Sequence, residues 1–261
     1  MPLSSARTTP GYGTILLRGL LAGLIAGLLA GVFAYATGES RIDAAIAIEE
    51  AAAHAETPGA ADDGHHDEEL VSRTGQKGGL FLATALYGVA MGGLLATAYT
   101  LLRRRLRTSS DTRAAFGLAG AALLGIVLVP FVKYPANPPA VGDPATINQR
   151  TIGWLSIVVI GVVAVWAGVL ASRSLRADAP EWLRAAAALG AFLGVVAIGY
   201  VLLPTFDEVP DTFPASLLWT FRLASLGTQV TLWTALGLAF AALLDRLAKR
   251  VPAEQSGAVT V

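Results

Sequence analysis

The chain has 261 residues, 54% of them hydrophobic and 15% charged, with a mean hydropathy of +0.58 and no net charge. That composition excludes a water-soluble domain with an ordinary core and, lacking a basic excess, gives no sign of a nucleic-acid partner. There is no cysteine, so disulfides, zinc–thiolate sites and thiolate nucleophiles are excluded, and any metal must be held by nitrogen and oxygen ligands.

Six apolar segments are long enough to span a bilayer at about 20 residues each: roughly 14–37, 79–102, 114–133, 151–171, 183–203 and 215–244. The first contains Gly19, Gly23, Gly27 and Gly31, four residues apart. At helical spacing they share one bare face, which lets a second helix approach closely in lipid. That helix is expected to come from elsewhere in the chain or from a partner. The triplet Ala34-Tyr35-Ala36 also has the small-x-small form of a signal-peptidase site. Cleavage there would leave five spans, but a glycine ladder has no use in a discarded peptide.

Directly after this span the chain turns polar. Glu39, Asp43, Glu50 and His54 fall within about 60° of one another at roughly 100° per residue of helix. Three carboxylates and an imidazole on one stripe suit capture of a hard or borderline cation; a solvated face of an amphipathic helix would have the same pattern. The stretch 38–78 is the one large polar piece. It passes the turn signal Thr57-Pro58-Gly59 and reaches Asp62-Asp63-Gly64-His65-His66-Asp67-Glu68-Glu69. All three histidines of the chain lie here. His65 and His66 with their acidic neighbours could recruit metal loosely, and ligation by neutral imidazole should weaken below a pH of about 6.5. A plain acidic loop would look similar.

Lys and Arg placement sets the orientation. With the amino terminus inside, 13 of the 19 basic residues fall on inside segments, led by Arg103, Arg104, Arg105 and Arg107. Both termini are therefore expected on the cytoplasmic side, with 38–78 outside. The third-to-fourth span connection, Lys133 to Arg150, holds four prolines and is expected to be stiff and extended, with Lys133 and Arg150 as interfacial anchors. The fifth-to-sixth connection, Pro204 to Pro214, carries Asp207, Glu208 and Asp211.

Arg222 lies eight residues beyond Pro214 inside an apolar run, about 12 Å in if helical. A charge near the centre of a span costs about 2.5–3.5 kcal/mol on insertion scales, so something must offset it. Ser225 and Gln229 continue its face. The expected offset is a carboxylate among Asp207, Glu208 and Asp211, in a structural ion pair or beside a hydrated path. Chemistry that is missing also narrows the field. The chain has no GxxxxGK[ST] run, no HExxH, and no histidine within an apolar span. ATP hydrolysis by that route and an intramembrane Ser–His dyad are excluded, and no catalytic residues are assigned.

The stretches Arg18-Gly19, Gly38-Glu39 and Ile42-Asp43-Ala44-Ala45-Ile46 resemble the opening of the CbtA family, the predicted cobalt transporter subunits of bacteria. Val71-Ser72-Arg73 with Gln76 resembles a further signature of that family. So do the run Lys133-Tyr134-Pro135-Ala136-Asn137-Pro138-Pro139-Ala140-Val141-Gly142-Asp143-Pro144 and Phe213-Pro214 through Trp219, Phe221-Arg222, Ser225-Leu226-Gly227 and Gln229. The resemblance implies an integral protein of the bacterial cytoplasmic membrane tied to cobalt supply for cobalamin synthesis. It also implies a small single-span partner with a histidine-rich terminus. The family is usually described with five spans, against six here, and it carries over no metal ligands residue by residue.

The expectation is an all-α, polytopic integral membrane bundle of about six helices, residues 1–261 forming one membrane domain. It moves Co²⁺ inward as cargo, with no resident cofactor. Metal capture falls to Glu39, Asp43, Glu50, His54, His65 and His66, and the polar path or its bracing to Arg222, Gln229, Asp207 and Asp211. A non-transporting scaffold for a separate carrier, a nickel transporter and an intramembrane enzyme are the rivals.

Overall fold

The computed structural model describes residues 11–56, 73–106, 108 and 110–257, with the His65 and His66 expectation lying outside them. Among the described residues the elements are helical, with no strand. They are α1 (Tyr12–Glu56), α2 (Arg73–Leu102), α3 (Asp111–Ala122), α4 (Val129–Lys133), α5 (Ile147–Ser174), α6 (Glu181–Leu202) and α7 (Ala215–Gly257). A π-helical turn, Leu123–Leu128, joins α3 to α4, and a 3₁₀ turn, Pro144–Thr146, precedes α5. Six segments are long and apolar enough to cross a membrane, with Asp111–Lys133 as one of them. The chain is a multi-pass membrane protein of six such helices, as its hydropathy predicts.

Local chemistry sets the helix boundaries. The Ser110 hydroxyl accepts the Arg113 N–H and caps α3. Asp143 caps the 3₁₀ turn by accepting the Ala145 N–H at 2.8 Å. Pro214 precedes α7, and its carbonyl takes the Leu217 N–H. The π turn has a local reason as well. Pro130 has no N–H to donate into the ladder, and just before it the Val129 N–H reaches back five residues to Leu124 O. At 45 residues, α1 is about 68 Å long, roughly twice the ~30 Å hydrocarbon core. The acidic stretch after the first span is therefore a direct continuation of that span, and Ala34-Tyr35-Ala36 lies in mid-helix.

The contacts divide into two compact units. The first holds α1 as far as Val32, Arg73–Gly120 and α7 from Val230. In it the glycine ladder of α1 lies against a matching ladder on α2. A Cβ on Gly19, Gly23 or Gly27 would collide with the backbone of Gly92, Gly88 or Thr84. The ladder's partner is thus this chain's own second helix. Arg18 donates to Leu243 O on α7 at 3.2 Å, and the Tyr99 and Phe240 rings meet edge to face at 5.5 Å. A clasp closes the α2–α3 turn: Asp111 accepts from Arg103 Nε at 2.7 Å and from the Tyr99 hydroxyl at 2.8 Å, while Arg103 Nη1 donates to Thr108 O. The Asp111 hydrogen bond holds the Arg103 pKa above its ordinary value.

The second unit holds α1 from Phe33 and Ala121–Gln229. It too has a backbone-to-backbone seam. A Cβ on Gly161 of α5 would collide with the carbonyl of Gly125 in the π turn. Along the same helix, Gly168 meets the Ala188 carbonyl of α6, and Ile157 is fully buried. The Phe33 ring of α1 packs on Gly227 of α7.

Candidate functional site

Within the second unit, the α4–α5 loop and the α6–α7 loop are bound together by polar side chains. Glu208 is the centre of one clasp. Its Oε1 accepts the Thr146 hydroxyl at 2.5 Å, and its Oε2 accepts the Asp143 backbone N–H at 2.8 Å. Arg150 Nε stands 3.4 Å from Oε2, and Arg150 Nη2 donates to Asp143 O at 3.1 Å. The guanidinium lies where a Cβ on Gly142 would go, and Gly142 has φ +126°, a conformation glycine alone adopts freely. The Thr146 hydroxyl first, then the Asp143 N–H and the Arg150 charge, hold the Glu208 carboxyl below its usual pKa. Glu208 therefore stays ionised, and the clasp intact, down to a pH below the ordinary carboxylate range of about 4.

A second set of contacts fixes the start of the α4–α5 loop. Lys133 Nζ donates to Tyr200 O at 3.0 Å and to the Thr205 hydroxyl at 3.2 Å, and the Tyr134 hydroxyl donates to Pro204 O at 2.6 Å. Burial raises the Tyr134 pKa, which keeps that donor protonated. The Tyr134 and Phe206 rings are 5.6 Å apart. Lys133 and Arg150 thus fasten one loop to the other, which goes beyond simple anchoring at the interface.

Arg222 reaches the same loop from α7. Its Nη2 donates to Asn137 Oδ1 at 2.8 Å and its Nε to Ala136 O at 3.4 Å. This corrects the expectation of a carboxylate partner: neutral acceptors of the proline-rich loop offset the charge. Glu208 is engaged with Arg150, and Asp207 and Asp211 are exposed carboxylates. Ser225 and Gln229 follow on the Arg222 face, and the Gln229 amide oxygen is buried without a hydrogen-bond partner.

The α1 stripe is helical throughout, so Glu39, Asp43, Glu50 and His54 share one face. Glu39 is 8% exposed, while Asp43 and Glu50 are open to solvent. At about 1.5 Å per residue the stripe runs some 22 Å from Glu39 to His54, too long for one coordination shell. Its members can act only in successive pairs. Among the described residues no three His, Asp or Glu side chains gather as a metal cage. Sequence reasoning missed the Glu208–Thr146–Arg150 clasp, whose members are up to 62 residues apart and carry no local signal.

Six spanning helices and a proline-rich loop held by charged and neutral clasps define a polytopic membrane protein. The chain belongs to the CbtA family, described as "Probable cobalt transporter subunit (CbtA)", whose family model matches residues 12–245. Membership places it among transporter subunits, and a subunit implies a partner protein. No curated protein and no solved structure matches the chain.

Proposed function

We propose that this chain takes Co²⁺ inward across the bacterial cytoplasmic membrane, with both termini cytoplasmic, and so supplies cobalamin synthesis. The observation that carries the reading is the family match over residues 12–245. Co²⁺ is cargo here, and the chain needs no resident cofactor. Glu39–Asp43 and Glu50–His54 act as successive weak stations on α1, and His65 and His66 add imidazole in the following loop. The exposed Asp207 and Asp211 raise the local cation concentration. Arg222 repels the ion and acts instead by holding the proline-rich loop, with Gln229 further along its face. Entry toward a negative interior is helped by about 2.3 kcal/mol per charge per 100 mV. The partner is a small single-span subunit with a histidine-rich terminus.

Borderline N/O ligands discriminate poorly between cobalt and nickel by affinity alone, so nickel is the alternative cargo. A scaffold for a separate carrier is the other reading, favoured by the lack of a three-ligand group among the described residues. The test is accumulation of radioactive cobalt in energised cells carrying the chain alone, the chain with its partner, or neither. Uptake that excess unlabelled Co²⁺ suppresses more than Ni²⁺ does supports the proposal. No uptake in either combination, with the protein present in the membrane, favours the scaffold.

A further inference from the structure

The first unit gathers arginines at one of its ends. Its α1 and α2 run antiparallel along the glycine ladder, so the start of α1 lies beside the end of α2, where the Tyr12 hydroxyl meets Thr97 Oγ1 at 3.0 Å. The end of α7 joins them through the Tyr99–Phe240 ring contact and the Arg18–Leu243 hydrogen bond. Arg103 pairs with Asp111 across the α2–α3 turn at 2.7 Å, and Lys249 pairs with Asp245 at 2.6 Å. Those pairs use both acidic side chains described at this end. Arg18, Arg104, Arg105, Arg113 and Arg246 are a surplus of positive charge, and the last four are exposed.

Position decides what this charge can meet. One apolar span ends at Leu102 and the next begins at Asp111, so the turn between them lies at the level of the lipid headgroups. The Arg103 N–H donates to Tyr99 O, and the Arg105 and Leu106 N–H groups donate to Leu102 O, which carries the helical course of α2 into the turn. Leu101, 71% exposed, therefore stands one turn below Arg104 and Arg105. On α3 the order is mirrored. Arg113 precedes Phe116 by one turn, Phe116 is 41% exposed, and a Cβ on Gly117 or Gly120 would meet open space. Each helix thus presents a guanidinium beside an open apolar surface that leads into the span. An acidic segment of a water-soluble protein would use the charge and leave the apolar part uncovered. A phospholipid with a net negative headgroup matches both, phosphate to guanidinium and acyl chain to Leu101 or Phe116.

We propose that this end of the first unit binds anionic phospholipid headgroups, with Arg104, Arg113 and Arg246 contacting phosphate. Arg103 is a positioning residue: its Nε is committed to Asp111 and its Nη1 to Thr108 O, so it shapes the turn that displays its neighbours. The surface is independent of what the chain transports.

The full chain, purified in neutral detergent, is unfolded by heat with added phosphatidylglycerol or phosphatidylcholine. Wild type should unfold a few degrees higher in phosphatidylglycerol, because a ligand of the folded state raises the midpoint. Arg104→Gln/Arg113→Gln should lose most of that difference. Arg173→Gln/Arg176→Gln removes as much charge from the α5–α6 turn, where Asp178 and Glu181 follow closely, and should keep it. Equal midpoints for wild type in the two lipids overturn the proposal, as does a preference unaltered in Arg104→Gln/Arg113→Gln or lost equally in the control pair. Inorganic phosphate in place of lipid should not reproduce the shift; if it does, the site takes a free anion and the lipid assignment falls. If Arg104→Gln/Arg113→Gln fails to accumulate, wild type is read at about 0.5 M salt, where screening should shrink the preference. A preference indifferent to salt overturns the proposal.

Discussion

The two compact units are held together by different chemistry at their most distinctive places. In the first, α1 and α2 touch largely backbone on backbone, Gly19 and Gly23 against Gly92 and Gly88 and Gly27 against Thr84. In the second, a glycine contact joins the π turn to α5, but the connecting loops are fixed by charge: Glu208 between Thr146, Asp143 and Arg150, and Arg222 on Asn137. Glycine contacts in lipid gain from dispersion and close approach, and they fail abruptly when a side chain is added. Polar clasps can loosen one bond at a time. The first kind of contact suits a fixed frame, and the second suits a region able to rearrange.

The largest expected effect comes from the glycine seam. Gly23→Leu places a side chain on the Gly88 backbone, which cannot move aside. It should cost about 3 kcal/mol or more and remove most folded protein from the membrane, as read by yield and thermal unfolding in detergent. Gly13→Leu, with open space at its Cβ, should leave both unchanged. Gly161→Val tests whether the second unit has an equally unforgiving seam at Gly125 and should be nearly as damaging.

Arg222→Gln comes next, and it separates frame from function. It removes a charge from a span and keeps hydrogen-bonding capacity near Asn137. Protein level should stay close to wild type while cobalt accumulation falls severalfold. Normal uptake by this variant would remove Arg222 from the mechanism.

The smallest effect is a shift in acid sensitivity. The folded pKa of Glu208 is lowered, so its clasp adds stability above the unfolded carboxylate pKa and loses it as pH falls through the folded value. Thr146→Val removes the leading cause of that lowering. The folded pKa should rise toward the ordinary value, and the loops should loosen at a higher pH than in wild type. Acid-induced change in the fluorescence of Trp154, one turn beyond Arg150, reads this midpoint. An unchanged midpoint would show that Thr146 does not set it.

Much of the frame was legible in the sequence because it obeys short periods. Runs of about 20 apolar residues marked the six spans, and a period of four marked the glycine face. The continuation of α1 through Glu39, Asp43, Glu50 and His54 followed from helical spacing. The identity of the glycine partner was not legible, because Gly88 and Gly92 become a face only once α2 is set beside α1. The clasps were illegible for a similar reason. Arg222 could be recognised as needing an offset, but the sequence offered acidic residues close by, and the fold supplied Asn137, 85 residues away. The π turn before Pro130 had only the proline as a sign.

The central proposal, that this chain carries Co²⁺ inward with Arg222 holding the proline-rich loop, is most directly tested in reconstituted vesicles. The purified chain, with and without its single-span partner, is placed in vesicles with an inside-negative potential, and entry of radioactive Co²⁺ is followed for wild type and Arg222→Gln. The account predicts potential-driven entry into wild-type vesicles and a severalfold slower rate for the variant at equal incorporation. Equal rates would contradict the role of Arg222, and no entry above protein-free vesicles in any combination would contradict the transport claim itself.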